Sequence, residues 1–275
     1  MRKNQKGQAV LIVLLSLSVV LIIVLYIMSR TVTDISLSNK DEDSMRAFSA
    51  AEAGIERALV IGSDIGDTTI GNANFSASVS NFAEGTSKVV YPISLKSGEI
   101  ATFWFSRPSE ASFFTGNQVK VCWGDKNTAI GALAPAVEIS TYYLNSGVYK
   151  ISRATLDPYN NRSPISNYFD VATSGTCTID NEQFQFYSTI TIPTSSPTLK
   201  LQFMTVKPLY NTTISHKVGI DVTGFGNAIL PSQGKKINAD GSSADSNRSI
   251  EVYQLHPVAP SVFMNSLFSS SGIIK

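Results

Sequence analysis

Histidine and cysteine, the side chains most often used for catalysis and metal binding, are rare in this sequence. Its 275 residues include two histidines, His216 and His256, and two cysteines, Cys122 and Cys177. None of them lies in an H-E-x-x-H, C-x-x-C or G-x-S-x-G pattern, and no phosphate-loop pattern is present. An enzyme would need carboxylates distant in sequence to meet in the fold. We therefore expect a protein that is not an enzyme and that has no cofactor.

One polar segment, NADGSSADSN, holds oxygen atoms that suit calcium. Asp240 and Asp245 lie in it together with Asn238 and Asn247, and carboxylate and amide oxygens are the ligands that Ca²⁺ prefers. The spacing does not match an EF-hand. Because Asn, Asp, Gly and Ser also cluster in ordinary turns, a plain turn is the alternative to a calcium site at Asp240 and Asp245.

The first structural element that the sequence predicts is an uncharged stretch over residues 9–28. Fifteen of its 20 residues are Leu, Ile or Val. A helix of about 20 residues reaches roughly 30 Å, which is the thickness of bilayer hydrocarbon. These side chains each favour insertion by about 0.3 to 0.6 kcal/mol near the helix centre. The pattern predicts a transmembrane segment over 9–28.

The charges that flank this segment predict its orientation. Arg2, Lys3 and Lys6 precede it, whereas acidic residues outnumber Arg30 and Lys40 after it. An excess of lysine and arginine marks the cytoplasmic side. We expect a single-pass membrane protein with residues 1–7 as a cytoplasmic basic leader and with the C-terminal domain outside the cytoplasm.

A single glycine, Gly7, separates the basic leader from the apolar segment in KGQAVLIV. An ordinary secretory signal has a shorter apolar stretch and a small-residue cleavage site after it, and YIMSRTVTD offers no such site. The KGQAVLIV junction resembles that of type IV pilin precursors. The resemblance implies that a prepilin peptidase cuts between Gly7 and Gln8. It also implies that the apolar helix serves first as membrane anchor and then as filament core, with Ala9, Ile12 and Met28 on its packing surface.

The helical pattern continues beyond the membrane to about Ile61, with Gly62 as its stop signal. The segment AFSAAEAGIERAL is similar to the one that follows the anchor in PilX-like minor pilins and in K-type minor pseudopilins. The likeness ends with this helix. The sequence therefore predicts one rod over residues 8–62.

Two neighbouring strips on the distal half of this rod indicate a packing face. Met45, Phe48, Ile55 and Leu59 form an apolar stripe at helical spacing, and Ala51 and Gly54 belong to an adjacent strip of small residues. These six residues are expected to pack on the protein's own β-domain. Sister helices in a bundle are the alternative partner.

One position departs from the usual pilin pattern. Most pilins carry glutamate as the fifth mature residue, where this chain has Ile12, and residues 9–28 contain no acid. In that family the carboxylate is thought to pair with the free amine of a neighbouring subunit. PilX-like and K-type subunits also lack it, which implies a minor, priming or tip-located subunit rather than the repeating shaft protein.

Residues 63–275 are rich in Ser, Thr, Asn and β-branched residues and predict an extracytoplasmic β-rich domain. Period-two alternation predicts strands near 75–79, 100–105, 119–123, 137–143, 184–192, 199–203, 218–222 and 250–255. Turn clusters such as NNRSP and NADGSSADSN separate them. The expected fold class is α+β, in which a long N-terminal helix precedes a mostly antiparallel β-rich domain.

Two further features of this domain are open to alternatives. Cys122 and Cys177 form a disulfide if the domain lies in an oxidising compartment, and two buried thiols are the alternative. Phe103, Trp104 and Phe105 are consecutive, so a strand turns at least one of them away from the core. That outward aromatic is either covered by another element or free for adhesion or a subunit contact.

These expectations favour a pilin-like minor subunit of a type IV pilus or a related secretion filament. Its implied partners are other pilins or pseudopilins, a prepilin peptidase, an inner-membrane assembly platform with a cytoplasmic ATPase, and membrane lipid. The formal net charge of +1 gives no broad basic surface, so no nucleic acid is expected. The alternative is a permanently membrane-anchored cell-surface adhesin or ligand-binding protein, which would keep its leader.

Overall fold

The computed structural model describes residues 8–106, 114–159, 162, 166–226, 228–258 and 260. One helix, α1 (Gln8–Ile61), is followed by strands with antiparallel pairing almost throughout, which confirms the predicted α+β fold class. The strands are β1 (Ile65–Ile70), β2 (Ala73–Phe82), β3 (Lys88–Val90), β4 (Ala101–Trp104), β5 (Gln118–Asp125), β6 (Ala136–Asn145), β7 (Val148–Asp157), β8 (Asp170–Val171), β9 (Thr173–Ile179), β10 (Glu182–Thr191), β11 (Leu199–Leu209), β12 (Val218–Asp221), β13 (Gly234–Ser243) and β14 (Ser246–Leu255).

The chain divides into two compact units, and the division differs from the expected boundary after residue 62. The first unit holds the chain up to Val79 together with Ile237–Val252, and the second holds Ser80–Lys236 and the chain from Tyr253. Residues 63–275 are thus divided between the two units. Their first and last strands cluster with α1 because those strands form the sheet on which the helix packs.

The helix α1 has 54 residues and ends where the sequence predicts. It contains no proline, and Gly54 is its only glycine. Gly62 takes a φ of 76°, and its N–H donates to the carbonyl of Ala58 at 2.7 Å. A glycine in the left-handed region closes a helix in this way because it has no Cβ to clash.

The sheet of the first unit has the strand order β1-β2-β13-β14. One face carries small and aromatic side chains at alternate positions, as period-two strands require. The core of this unit consists of Ala50, Ile55, Ala58, Ile65, Ala73, Phe75, Ala77, Ile237 and Ala239. Residues from α1, β1, β2 and β13 thus share one hydrophobic cluster.

The second unit is a β-sandwich of two five-stranded sheets, ordered β3-β12-β5-β10-β9 and β4-β11-β6-β7-β8. Val121 and Ile220 from the first of these sheets share one hydrophobic core with Ile139 and Met204 from the second. Two sheets that pack face to face bury alternate residues of each strand in this manner. The short β7–β8 pair is parallel.

The aromatic triplet splits between the two faces of β4. Phe103 and Phe105 are buried in the sandwich core, whereas Trp104 is partly exposed on the opposite face. The core also buries Trp123, whose indole N–H donates to the carbonyl of Pro135 at 2.8 Å. The one polar atom of this buried ring therefore has a hydrogen-bond partner.

A disulfide joins Cys122 of β5 to Cys177 of β9, as one of the two alternatives predicted, with Cα atoms 6.2 Å apart. Both cysteines belong to a small cluster with Ile179 and Phe184, separate from the sandwich core. The β9–β10 register shifts between Phe184 and Phe186, and such a bulge bends a strand out of its sheet. The disulfide therefore holds β9 close to β5 although β10 lies between them in the strand order.

All eight predicted strand regions are strands, but the segment NADGSSADSN is not the loop that its composition indicates. Residues 238–243 belong to β13, Ala244 and Asp245 form a two-residue turn, and β14 begins at Ser246. The prediction failed because the small residues of β13 face the helix rather than solvent. Strands β1, β3, β7, β8, β9 and β13 were not predicted.

Removal of the disulfide should destabilise the second unit. The bond closes a loop across a sequence separation of 55 residues, which in the chain-entropy model corresponds to about 4 kcal/mol. We expect the free energy of unfolding of the Cys122→Ala/Cys177→Ala variant to be lower by about this amount, so that the variant unfolds at a lower denaturant concentration. Chemical denaturation of the full chain in detergent measures the difference. Reductant should bring the wild-type midpoint to that of the variant. An unchanged wild-type midpoint in reductant would show that the bond contributes nothing.

Candidate functional site

The N-terminal part of α1 is apolar around its whole circumference and uncovered. Every large hydrophobic side chain of residues 10–28 is exposed, and 0% of the most apolar 18-residue window is buried. The helix is long and apolar enough to cross a membrane. In water such a surface has a large unfavourable hydration free energy, so this part of the helix requires an apolar surrounding.

The two serine side chains of this segment are hydrogen-bonded within the helix. The hydroxyl of Ser16 donates to the carbonyl of Val13 at 2.9 Å, and that of Ser18 donates to the carbonyl of Leu14 at 2.8 Å. A hydroxyl that bonds its own helix backbone carries no unsatisfied donor into hydrocarbon. The two serines therefore do not oppose an apolar location.

The residues implied by the pilin resemblance lie at the start of this segment. Gly7 is outside the described residues, and Gln8 is the first residue of α1. Ala9 is in the helix, and the side chains of Ile12 and Met28 are exposed. Between Val10 and Met28 the exposed surface carries no charge.

The distal half of α1 packs on its sheet through small residues. Ala47, Ala51 and Ala58 are each 0% exposed, and Gly54 is also buried. Ile55 is the single large side chain of the helix in this cluster. The strip of small residues, rather than the apolar stripe beside it, faces the sheet.

Three of the six residues expected to pack on the β-domain are placed elsewhere. Met45 is 72% exposed, Phe48 47% and Leu59 37%. Ala51, Gly54 and Ile55 are buried as expected of a packing face. The difference arises because the helix backbone approaches the sheet too closely for the larger side chains to lie between them. Met45, Phe48 and Leu59 therefore form an uncovered surface of the described part of the first unit.

The closest approach lies at Gly241 of β13. A Cβ atom at this position would be 2.0 Å from the carbonyl oxygen of Ala47 and 2.5 Å from the amide nitrogen of Ala51. Across the interface, a Cβ on Gly54 would meet Ala239 and Phe75 at 3.1 Å each. Gly241 lets the backbone of β13 approach that of α1, and Gly54 leaves room for the side chains of Ala239 and Phe75, much as small residues do in closely packed helix pairs.

Polar contacts fix the beginning of this packed region. Ser243 donates to the carboxylate of Asp43 at 3.3 Å, and Nε of Arg248 donates to the hydroxyl of Ser44 at 2.9 Å. Sequence reasoning missed Ala50, Gly241 and Arg248 as contact residues. The run of Gly, Ala and Ser in NADGSS was the available signal, although ordinary turns have the same composition.

The proposed calcium ligands Asp240 and Asp245 lie in the β13–β14 hairpin. Asp240 lies in β13 and Asp245 in the β13–β14 turn, and both are exposed. Among the described residues, no group of three or more His, Cys, Asp or Glu side chains could hold a metal ion. The segment forms a hairpin around a two-residue turn at Ala244 and Asp245.

His216 is a buried polar residue of the second unit rather than an exposed acid or base. Its Nε2 lies 2.9 Å from the side-chain nitrogen of Asn211. The Asn211 side-chain oxygen accepts from the backbone N–H groups of Thr213 and Ile214, so its NH₂ group donates to the imidazole. Burial lowers the pKa of His216, and the carboxylate of Asp125, 3.6 Å from Nδ1, opposes this only in part. The imidazole is therefore held neutral.

A partly exposed row of side chains crosses the outer face of the β4-β11-β6-β7 strands. Register pairs Phe203 with Trp104 on β4 and with Tyr142 on β6, and Tyr142 in turn with Ile151 on β7. The rings of Tyr142 and Phe203 stack at 4.4 Å, and those of Trp104 and Phe203 lie 5.0 Å apart. We call Trp104, Phe203, Tyr142 and Ile151 the outer row. A groove of about 540 Å³ lies beside it and is lined also by Tyr149.

Comparison with protein-family models, with curated proteins and with solved structures finds no match to this chain. What the protein can do must therefore be argued from its own geometry. Within the described residues, the N-terminal part of α1 is apolar and uncovered. The distal part is held by a backbone-to-backbone contact with Gly241 of β13. The fold brings together no acid, base and nucleophile among the described residues that we identify as a reaction centre.

Substitution of Gly241 should disrupt the docking of the helix. In Gly241→Val the added side chain meets the α1 backbone, and overpacking of this kind lowers the free energy of unfolding by roughly 1–3 kcal/mol. Chemical denaturation and hydrogen exchange of residues 47–58 measure the effect. Gly66→Val on β1 is the matched control, because nothing lies within 4 Å of a Cβ at Gly66. Equal stability of the two variants would contradict the close approach.

Buried, neutral His216 should make stability depend on pH. In the unfolded chain it titrates near pH 6.5, while in the folded protein its pKa is lower. Between these two values the unfolded state binds more protons, so the free energy of unfolding decreases as pH falls below about 6.5. The pH dependence of the denaturation midpoint measures this decline. His216→Gln should remove it and His256→Gln should keep it. A decline that persists unchanged in His216→Gln would assign it to other groups.

Proposed function

We propose that this protein is a pilin-like minor subunit of a type IV pilus or related secretion filament. The observation that carries the proposal is the division of α1 into two parts. The distal part is docked on the protein's own sheet, and the N-terminal part is apolar on every side and uncovered. A rod of this kind is suited to lie first in lipid and then among the equivalent rods of other subunits.

The exchange of lipid for neighbouring helices involves little hydrophobic gain, because hydrocarbon tails are as apolar as leucine. The absence of charge between Val10 and Met28 keeps the anchor equally compatible with both surroundings. The energy for extraction would come from a cytoplasmic ATPase on an inner-membrane platform. Other pilins or pseudopilins are then the neighbours that replace lipid.

The assignment to a minor subunit rests on Ile12. This position corresponds to the fifth residue after the proposed cleavage site, where most pilins have glutamate. Without that carboxylate the chain has no intramembrane partner for the free amine of a neighbouring subunit, and such a pair offsets the cost of charge in a low dielectric. A priming or tip position requires fewer such contacts than the shaft.

The mature N-terminus tests the proposal. In cells that have a prepilin peptidase, we expect the protein to begin at Gln8 and to lack residues 1–7, as measured by mass spectrometry of the intact chain. Gly7→Val should remain uncut and begin at Met1, and Gln5→Val, also in the leader, should be cut normally. A wild-type chain that begins at Met1 in such cells would overturn the proposal.

The second candidate is a permanently membrane-anchored cell-surface adhesin or ligand-binding protein. The outer row and its groove of about 540 Å³ favour this function, since ligand sites commonly have this size and an aromatic lining. This candidate predicts an uncut N-terminus. The same mass measurement therefore separates the two functions.

A further inference from the structure

The strand β7 exposes an unpaired edge over most of its length. It pairs with β6 from Val148 to Leu156, but with β8 only at Leu156 and Asp157. In the part of the chain that the structure describes, no strand covers the other side of β7 over residues 148–155. This open edge is bounded by the β6–β7 turn at one end and by β8 at the other, so its midpoint lies at about Ile151.

The turn fixes which backbone groups point outward. Ser146 and Gly147 have φ values of 50° and 81° and connect β6 to β7 as a two-residue hairpin of the type that requires positive φ at both positions. The flanking pair, Asn145 and Val148, exchanges both hydrogen bonds, and hydrogen-bonded pairs then recur at every second residue. The β6–β7 register is continuous. The N–H and C=O groups of Tyr149, Ile151 and Arg153 therefore point away from β6.

The side chains at this edge include two exposed large apolar ones, Tyr149 and Ile151, beside the charged Lys150 and Arg153. Tyr149 is 77% exposed and Ile151 48%, and Ile151 ends the outer row. Natural proteins usually protect such edges, because unpaired backbone groups next to apolar side chains bind another strand. The edge thus has both the hydrogen-bonding groups and the apolar surface that strand addition uses.

We propose that the open edge of β7 pairs antiparallel with β7 of a second copy of this chain, about a two-fold axis at Ile151. This register opposes Ile151 to its equivalent in the second copy and opposes Tyr149 to Arg153. The guanidinium then lies beside an aromatic ring, which attracts cations. Lys150 is opposed to Ser152, so no two cations face one another.

Other registers are less complementary. An axis at Lys150 opposes two lysines, an axis at Arg153 opposes two arginines, and like charges directly opposite destabilise a sheet. An axis at Ser152 places Ile151 against Arg153. With the axis at Ile151, the β6–β7 turn of the second copy ends opposite Thr155. The next residue, Leu156, is the first to pair with β8, so the two strands do not compete for the edge. The outer rows of the two copies then meet at Ile151 and form one continuous row.

Disulfide trapping tests the register. In the proposed pair the two Ile151 Cα atoms lie about 5.5 Å apart, within the range that a disulfide spans. We expect full-length Ile151→Cys, solubilised in detergent and mildly oxidised, to form a covalent dimer of twice the monomer mass. Cys122 and Cys177 are bonded to each other and do not compete.

Matched cysteine variants on the same strand serve as controls. Tyr149→Cys alone should not form dimers, because its opposite residue is Arg153, whereas a mixture of Tyr149→Cys and Arg153→Cys should do so. Monomeric Ile151→Cys, or equal dimer formation by Ile151→Cys and Tyr149→Cys, would overturn the proposal. Cross-linking of Ile151→Cys to a different protein in cells would also overturn it, since the edge would then have another occupant.

A charge at the centre of the edge should prevent pairing without the use of cysteine. Ile151→Lys opposes two lysines across the axis, and we expect sedimentation of the full chain in detergent to show loss of the dimer. Val171→Lys on β8 replaces an apolar side chain that is more exposed than Ile151, at 64%, and should leave the dimer intact. A dimer that survives in Ile151→Lys would contradict the proposed contact whether or not the N-terminal helix is processed.

Discussion

A helix of 54 residues is longer than any sheet of this protein can cover. At about 1.5 Å per residue α1 extends roughly 80 Å, whereas a strand of ten residues covers about 34 Å. The longest strands of its sheet have 10 residues each. Only the distal part of the helix is therefore docked, and the N-terminal part must find its apolar surrounding outside the fold. The proposed function supplies that surrounding, first as lipid and then as the helices of other subunits.

The two parts of α1 make different kinds of contact: the distal part packs through small residues, and the N-terminal part presents large ones. The distal part places the backbone of Ala47 and Ala51 against Gly241, and Gly54 against the side chains of Ala239 and Phe75, so that one register is specified. The N-terminal part presents large aliphatic side chains all round, which pack acceptably against lipid or against another helix. Because such a surface discriminates poorly among apolar neighbours, selection of a partner must come from other surfaces.

The sequence was most informative where one pattern dominated. The apolar run, the proline-free helix and the Gly62 stop predicted α1, and period-two alternation predicted eight strand regions. The docking face was only partly predictable, since larger apolar residues such as Phe48 are the usual choice for burial, and only the position of Gly241 reveals how close the sheet comes. The same closeness explains β13, whose small residues have the composition of a turn.

Side-chain clusters assembled from distant segments were beyond sequence reasoning. Buried Asp157 accepts hydrogen bonds from Arg162, whose guanidinium also donates to the carbonyls of Ala132 and Ala134. No local pattern indicates that these segments meet. The hydrogen bond to His216 comes likewise from Asn211, whose orientation is set by the turn that follows it.

The connectivity of the docking sheet sets an order of events during folding. Adjacent residues of β2 and β13, such as Ser80 and Lys236, are 156 positions apart, and contacts of such separation form late. A ribosome releases α1 and β2 long before β13 has been synthesised. Throughout that interval the β1–β2 hairpin is present, but Ala47 and Ala51 still await the backbone of Gly241 that covers them in the folded protein.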